Sequence, residues 1–446
     1  MSTKEKSLPT NQALRLGKIA SLATRVAGNM LAEGTKQIVK GNKPKAKDLL
    51  LTPQNVTRLT DQLADLRGAA MKLGQMLSMD AGDLLAPELT MLLARLRSNA
   101  DPMPAKQLNQ TLEQALGSDW KSEFLSFNFK PMASASIGQV HQAYSDSGEN
   151  LAVKVQYPGI KKSINSDIDN VGLLLKMVGL IPESVDVKAL LEEAKVQLHY
   201  EADYIREAQF IQRYNELLRP YSQFSVPKTY PQSCGESVLT MSYIEGIAIE
   251  DANEYDQETR DFIMYNLLHL MFLELFEFKI VQTDPNFANY VFNQDTRQIG
   301  LLDFGATREY SDNVSLGYLN AFSSVINHDE QGLNLALENI GFFSQEILPT
   351  QRQAVLELVK LACEPMLTNG PYDFGNSELA QKLRDASTTL SMEKDYWHTP
   401  PADALFLHRK IAGMYLLAAR LEARVDVREL IDPFFSSKEE KQHICS

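Results

Sequence analysis

The chain predicts an α+β fold in two lobes, a small one rich in strands and a large, mostly helical one, preceded by a helical extension. Three observations carry this expectation. Residues 129–156 alternate short β-prone runs with turn residues and end in Leu151-Ala152-Val153-Lys154-Val155-Gln156, where apolar residues return at every second position. Stretches such as 187–217 and 258–278 read instead as helices. Late in the chain an apolar run, Leu301-Leu302, ends in Asp303-Phe304-Gly305, fourteen residues after an Asp284-x-x-x-x-Asn289 spacing.

In chain order, residues 1–50 form a basic tail. Between Asn11 and Lys47, Arg15, Lys18, Arg25, Lys36, Lys40, Lys43, Lys45 and Lys47 face Glu33 alone, amid Leu14, Leu16, Ile19, Leu22, Val26, Met30 and Leu31. Several of these apolar residues fall three or four apart, the pattern of an amphipathic helix whose basic face suits anionic headgroups. A disordered basic tail or an organelle transit peptide has the same composition. A helical extension, 51–118, has helices from Pro53 to Leu96 that carry Lys72, and they end near Asp101-Pro102-Met103-Pro104. The small lobe, 119–246, starts with strands at Phe129–Met132, up to Tyr144, and at Leu151–Gln156, the last two joined by a turn at Ser145-Asp146-Ser147-Gly148. An inserted helix at 161–181 and one long helix at 187–217 follow, and a hinge closes the lobe at Met241-Ser242-Tyr243-Ile244-Glu245-Gly246. Residues 247–446 form the helical lobe.

The chemistry lies in the spacing. An aspartate at the end of an apolar strand can hold a hard divalent cation against nucleotide phosphates, because the strand fixes the direction of the carboxylate. Taken alone, Asp303-Phe304-Gly305 is also a turn after a buried strand. Upstream, Leu151, Val153 and Val155 share one strand face, so Lys154 points the other way, above the loop Ala133-Ser134-Ala135-Ser136-Ile137-Gly138. A strand lysine there matches the residue that pairs with the α and β phosphates in phosphotransferases of the protein-kinase-like fold. Alanine and serine stand where a phosphate loop carries glycines, which predicts altered phosphate contact and slower or differently directed chemistry. On the long helix, Asp203 and Glu207 lie on one stripe and could meet a single cation. Glu207 is the natural partner for Lys154.

Lys72-Leu73-Gly74-Gln75, the alanine-rich loop with Gln139-Val140-His141, Glu201-Ala202-Asp203-Tyr204 with Glu207-Ala208, Gln282-Thr283-Asp284-Pro285-Asn286 with Asn289, and Leu302-Asp303-Phe304-Gly305-Ala306 occur in one order. Together they resemble the UbiB family of atypical kinase-like proteins, in its branch that supports coenzyme Q (ubiquinone) biosynthesis. The resemblance implies ATP and Mg2+ as cofactors. It implies Lys154 on phosphate, paired with Glu207; Asp284 as catalytic aspartate; and Asn289 and Asp303 on magnesium. Ala133, Ser134, Ala135, Ser136, Gly138, Met241 and Tyr243 would complete the nucleotide site. Lys72, with Gln75, would meet Glu201 and Asp203 and occlude the place where a protein substrate docks. Two departures stand out: Gln282-Thr283 replaces the usual His-Arg, and no Ala-Pro-Glu follows Asp303, so control by activation-loop phosphorylation is not expected.

Three cysteines, Cys234, Cys363 and Cys445, suit a reducing compartment and exclude a disulfide scaffold. No run reaches about eighteen apolar residues, since Lys176 interrupts 171–181 and Glu274, Glu277 and Lys279 interrupt 271–281. Attachment to a membrane should be peripheral, on the cytoplasmic side of a bacterial inner membrane or the matrix side of a mitochondrial one. The expected partners are an anionic membrane surface, quinone-precursor lipids and ubiquinone-biosynthesis enzymes, with oligomers allowed and no nucleic acid. Three functional classes remain: an ATPase assisting ubiquinone synthesis, a small-molecule or lipid kinase, and a nucleotide-binding scaffold without turnover.

Overall fold

The computed structural model describes residues 24–25, 28–37, 39, 52, 55, 66–81, 102–135, 137–177, 187–343, 347–392 and 401–444. Most of the basic tail and of the helices expected between 53 and 96 lies outside them, as do Ser136 and the end of the inserted helix. The chain divides into two units, Met1–Gln209 with Lys228–Tyr243, and Phe210–Pro227 with Ile244–Ser446.

The first unit opens with helix α1 (Arg67–Ala81), which carries Lys72, and α2 (Ala105–Leu116). Its strands are β1 (Ser126–Phe127), β2 (Ala133–Ser134), β3 (Gly138–Tyr144) and β4 (Asn150–Gln156). Then come α3 (Ile160–Met177), α4 (Val187–Glu201) and α5 (Tyr204–Leu217), which passes into the second unit after Gln209. After an excursion of the chain into the second unit that includes β5 (Phe224–Ser225), β6 (Val238–Ser242) completes an antiparallel sheet in the order β1-β3-β4-β6, with β2 also on β3.

Two sequence expectations change here. The strand expected at Phe129–Met132 is replaced by β1 and β2 on either side of it. Pro131 cannot donate to a ladder, and the Asn128 side chain takes the Lys130 N–H at 3.0 Å, turning the chain. The helix expected over 187–217 breaks at Ala202-Asp203. The Asp203 Oδ1 accepts the Arg206 N–H at 3.1 Å, so this aspartate caps the start of α5 instead of lying on a continuous acidic stripe.

Strand β4 is the centre of the sheet, paired with β3 and β6. Leu151, Val153 and Val155 pack in one cluster with Leu108 and Leu112 of α2, Trp120 and Val238. Each such buried aliphatic side chain contributes about 1.5–3 kcal/mol. The opposite face, with Ala152, Lys154 and Gln156, is buried as well. Gly138 is required by close approach: a Cβ there would stand 2.3 Å from the Val155 carbonyl oxygen across the β3–β4 ladder.

In the second unit, β7 (Ile247–Ala248) precedes α6 (Gln257–Phe272), which buries Ile263, Met264, Leu267, Leu268, Leu270, Met271 and Phe272. An apolar surface on nearly all sides makes a central helix. Its last turn, Leu273–Phe278, widens to a π-helix where a plain α-helix was expected, and Lys279 ends it at φ 54°. Next come β8 (Ile280–Gln282), β9 (Tyr290–Asn293), β10 (Gln298–Leu301) and β11 (Thr307–Glu309). β10 lies between β9, antiparallel, and β5, parallel, while β11 pairs with β8. Helices α7 (Asp312–Ile326), α8 (Glu330–Ile340), α9 (Pro349–Ala362) and α10 (Glu364–Leu367), strand β12 (Tyr372–Asp373), helices α11 (Leu379–Met392) and α12 (Ala402–Arg420), strand β13 (Arg424–Val425) and helix α13 (Val427–Ile444) complete the unit. Among the described residues, no helix is long and apolar enough to cross a membrane.

Candidate active site

Each unit holds one group of the expected residues. In the first, Lys154 projects from the centre of the sheet, and its Nζ donates to Glu207 Oε1 of α5 at 2.6 Å. Glu207 is 2 % exposed and Lys154 9 %, so the lysine is no solvated edge charge. The helix break places this carboxylate: Gln156, on the same strand face, donates from Nε2 to the Ala202 carbonyl at 2.8 Å, pinning the α4–α5 junction over the lysine. The loop is a tight hairpin in which Ala133 pairs with Val140, Ser134 with Gln139, and the Ala135 N–H donates to the Gly138 carbonyl at 2.9 Å. Ala133 and Ser134 are exposed, Ala135 half-buried, and Gly138 is buried against β4. Met241 pairs with Ala152, and the Tyr243 N–H donates to the Asn150 carbonyl at 2.9 Å, where the first unit ends.

Lys72 is also buried, and its Nζ donates to Glu201 Oε1 at 2.5 Å. This joins α1, which packs against α4, to the last residue of that helix. Asp203 is directed to the Arg206 N–H. Gln75 lies on α1, but its side chain is outside the described residues. Gln139 accepts the Met103 N–H on Oε1 at 2.9 Å and meets His141 Nε2 through its own Nε2, also at 2.9 Å. His141 Nδ1 lies 2.9 Å from the Asn128 carbonyl, and burial lowers its pKa, so the neutral ring carries its proton on Nδ1.

The second unit assembles the other group by register. Asp284 follows β8 and Asp303-Phe304-Gly305 precedes β11. These strands pair with Thr307 opposite Gln282, and the Thr283 Oγ1 closes the ends by donating to the Ala306 carbonyl at 2.7 Å. Asn289 immediately precedes β9, and Asp303 follows β10 with Leu302 between them. With Tyr290 opposite Leu301, the next pair is Asn289 with Leu302, whose N–H donates to the Asn289 carbonyl at 2.9 Å. The β9–β10 hairpin and the β8–β11 ladder therefore bring Asp284, Asn289 and Asp303 together from 20 residues of chain. Asp303 Oδ1 accepts the Gly305 N–H at 3.0 Å, and Asp284 Oδ1 accepts the Asn286 N–H at 3.2 Å.

These residues fit a magnesium ion bound with nucleotide. Asn289 is 7 % exposed, yet its Nδ2 has no hydrogen-bond partner, so the amide is not pinned and its oxygen can turn to a ligand. An amide oxygen and a carboxylate are hard donors of the kind Mg2+ takes when phosphates and water complete its shell. Among the described residues no cluster of three His, Cys, Asp or Glu side chains could hold a metal by itself.

Beneath the Asp284 segment lies a buried network that sequence reasoning missed. Lys410 of α12, 1 % exposed, donates to the Tyr290 hydroxyl at 2.7 Å and to Gln282 Oε1 at 3.3 Å, and its Nζ stands 3.6 Å from Glu274 Oε2. Glu274 Oε1, in the π-turn, accepts the Tyr214 hydroxyl at 2.6 Å and the Gln282 N–H at 3.2 Å. Burial works against the charge on Lys410, but Glu274 and Tyr290 outweigh it and raise its pKa; burial pushes the Glu274 carboxyl up. The available signal was charge inside an apolar run at each position: Glu274 alone within 270–276, and Lys410 beside Arg409 within 404–412.

Comparison with known proteins bears on the family and the fold. The ABC1 atypical kinase-like domain matches residues 95–336. The chain is 35 % identical to "Atypical kinase COQ8, mitochondrial" of Saccharomyces cerevisiae over 437 residues, covering 98 % of this chain and 87 % of that protein. It is 35 % identical to "Atypical kinase COQ8B, mitochondrial" of Rattus norvegicus over 430 residues, covering 96 % and 81 %. Among solved structures, Rv3197 of Mycobacterium tuberculosis, in complex with erythromycin, superposes with a TM-score of 0.59 at 24 % identity, over 84 % of this chain and 94 % of that one, a likeness of fold.

Proposed function

The chain belongs to the ABC1 (UbiB) family of atypical kinase-like enzymes, and from this premise we propose that it is a Mg2+-dependent ATPase that supports ubiquinone biosynthesis at a membrane surface. The observation that carries the reading is the hairpin pairing that sets Asn289 beside Asp303, with Asp284 joined to the same place through Thr283. Asn289 and Asp303 would hold the ion. Magnesium, when bound, neutralises charge on the phosphates and fixes their orientation. Lys154, kept in place by Glu207, presents its ammonium to the phosphates, where its charge counts most in a water-poor setting. Asp284 orients the attacking water or hydroxyl and takes its proton.

Lys72 and Glu201 support the view that a protein is not the acceptor, because a buried ion pair holds the extension helix to α4. The alanine hairpin supports a changed phosphate contact, since Cβ atoms occupy positions where a glycine loop lets backbone N–H groups approach. Of the relatives, the names place COQ8 and COQ8B in mitochondria. We carry this over as a peripheral location beside the inner membrane, with anionic lipid and quinone precursors as partners. The test is ATP turnover by pure protein with and without anionic liposomes and phenolic quinone-precursor analogues, following labelled phosphate. Release as inorganic phosphate, stimulated by both additives, is expected. Label on a phenol or lipid would make the protein a small-molecule kinase instead, and nucleotide binding without turnover would make it a scaffold.

A further inference from the structure

Helix α12 lies beyond the residues matched by the kinase-like domain, yet one of its stripes touches both the Asp284 segment and the chain around β11. Asp403, Phe406, Lys410 and Gly413 follow one another at intervals of three, four and three residues, which sets them on a single helical face. Asp403 Oδ1 accepts the Arg308 guanidinium at 3.1 Å and its carbonyl accepts the Tyr310 hydroxyl at 2.9 Å, while Arg308 lies 4.1 Å over the Phe406 ring. These contacts hold β11, just after Asp303-Phe304-Gly305. Lys410 reaches both ends of the Asp284 segment, Gln282 before it and Tyr290 after it. Gly413 meets the middle. A Cβ at Gly413 would stand 2.5 Å from the Cβ of Pro285, the residue after Asp284.

Each contact is of a kind that fixes position. Lys410 is a buried ammonium that donates hydrogen bonds to Tyr290 and Gln282 and lies 3.6 Å from the Glu274 carboxylate, so it cannot relax toward solvent without giving up all three. The Pro285 ring is rigid and has no rotamer with which to retreat from an added methyl. The glycine is otherwise poorly suited to a helix interior, where alanine is favoured.

We propose that α12 acts as a rigid backing for the Asp284 segment, with Lys410 and Gly413 as positioning residues for phosphoryl transfer. This deepens the proposed function and rests on Asp284 being its catalytic aspartate. Neither residue need touch nucleotide or metal. Their effect comes through Asp284 and Asn289, and errors of about 1 Å in such placements can lower rates by about 10²-fold.

The test uses the full chain with Gly413→Ala and, as a second variant, the charge-neutral pair Lys410→Met with Glu274→Gln. Turnover, ADP affinity, thermal midpoint and hydrogen exchange of the peptide covering 282–290 are measured for each. For Gly413→Ala the expected result is a turnover loss of about 10- to 10²-fold with KM and ADP affinity within about twofold. Faster exchange in 282–290 should accompany it, with a lower thermal midpoint in which the strain of the added methyl against Pro285 is partly offset by the better helix propensity of alanine. A purely structural role predicts instead that turnover falls only in proportion to unfolded protein, with turnover per folded molecule unchanged. Should Gly413→Ala misfold, the paired variant decides by the same split between turnover and affinity. Turnover and exchange both unchanged in the folded variants would overturn the proposal. If wild-type protein shows no turnover, the functional reading fails by itself, and the exchange data still decide whether α12 backs the segment: faster exchange upholds it, unchanged exchange refutes it.

Discussion

Separating the Glu274–Lys410 pair should have a large and pH-dependent cost. The two side chains are 1 % and 2 % exposed and stand 3.6 Å apart. At an effective dielectric constant of about 20 their attraction is ~4–5 kcal/mol. Removing one partner leaves the other charge buried without its counter-ion, at about 3–5 kcal/mol. With about 2–4 °C of thermal midpoint per kcal/mol for a unit of this size, Glu274→Gln or Lys410→Met should each lower the midpoint by about 10 °C. The double variant should lie within about 1–2 kcal/mol of wild type, because no charge remains buried and Gln at 274 still offers an oxygen to Tyr214 and to the Gln282 N–H.

The pH slopes of the two single variants should oppose each other. In Lys410→Met the Glu274 carboxyl, already pushed up by burial, loses the cation that pulls it down. The folded state then holds a proton that the unfolded chain releases, so the deficit shrinks as pH falls. In Glu274→Gln, Lys410 loses the partner that outweighs its burial, and its deficit shrinks as pH rises. Urea unfolding of all four proteins between pH 5.5 and 9 measures this. Additive single costs of about 1 kcal/mol or less, without slopes of opposite sign, would refute the buried-pair account.

Three other outcomes are expected. Gly138→Ala should destabilise the first unit by about 1–3 kcal/mol through contact with the Val155 carbonyl, read as a lower urea midpoint; a neutral result contradicts the close approach. Lys72→Ala should make residues 66–81 more sensitive to proteolysis while ADP affinity stays within about twofold, since the Glu201 contact holds helix and not nucleotide. His408 is pulled by burial from 6.5 to about 4, a depressed pKa whose contribution is fully present above 6.5 and lost as pH falls toward 4. That loss is about 3 kcal/mol, and it should be absent in His408→Gln when stability is followed from pH 7.5 to 4.

Much of the site could be read in the sequence because its chemistry demands fixed residue types at fixed spacings. The β9–β10 hairpin and the β8–β11 ladder gather Asp284, Asn289 and Asp303, and period-two alternation alone places Lys154 opposite the apolar face of β4. What escaped was decided by competition between local preferences. Asp203 could extend an acidic helix face or cap a new helix, and only the docking of Ala202 under Gln156 selects the cap. Pro131 and the Asn128 turn move the first strands outward from 129–132. Glu274 and Lys410 read as charges interrupting apolar runs, because each meets its partner across 136 residues of chain. A helical glycine such as Gly413 gives no local sign that a proline ring lies against it.

The central claim, that Asp303 and Asn289 hold magnesium for bound ATP, is tested most directly by calorimetric titration of Mg·ATP into wild type and Asp303→Asn at equal folded concentration. Wild type should bind ATP more tightly with Mg2+ than with EDTA. Asp303→Asn should lose that magnesium-dependent increment while its thermal midpoint without nucleotide stays within about 2 °C of wild type, as expected for a half-buried exchange costing less than about 1 kcal/mol. An equal magnesium increment in both proteins would contradict the assignment of the site.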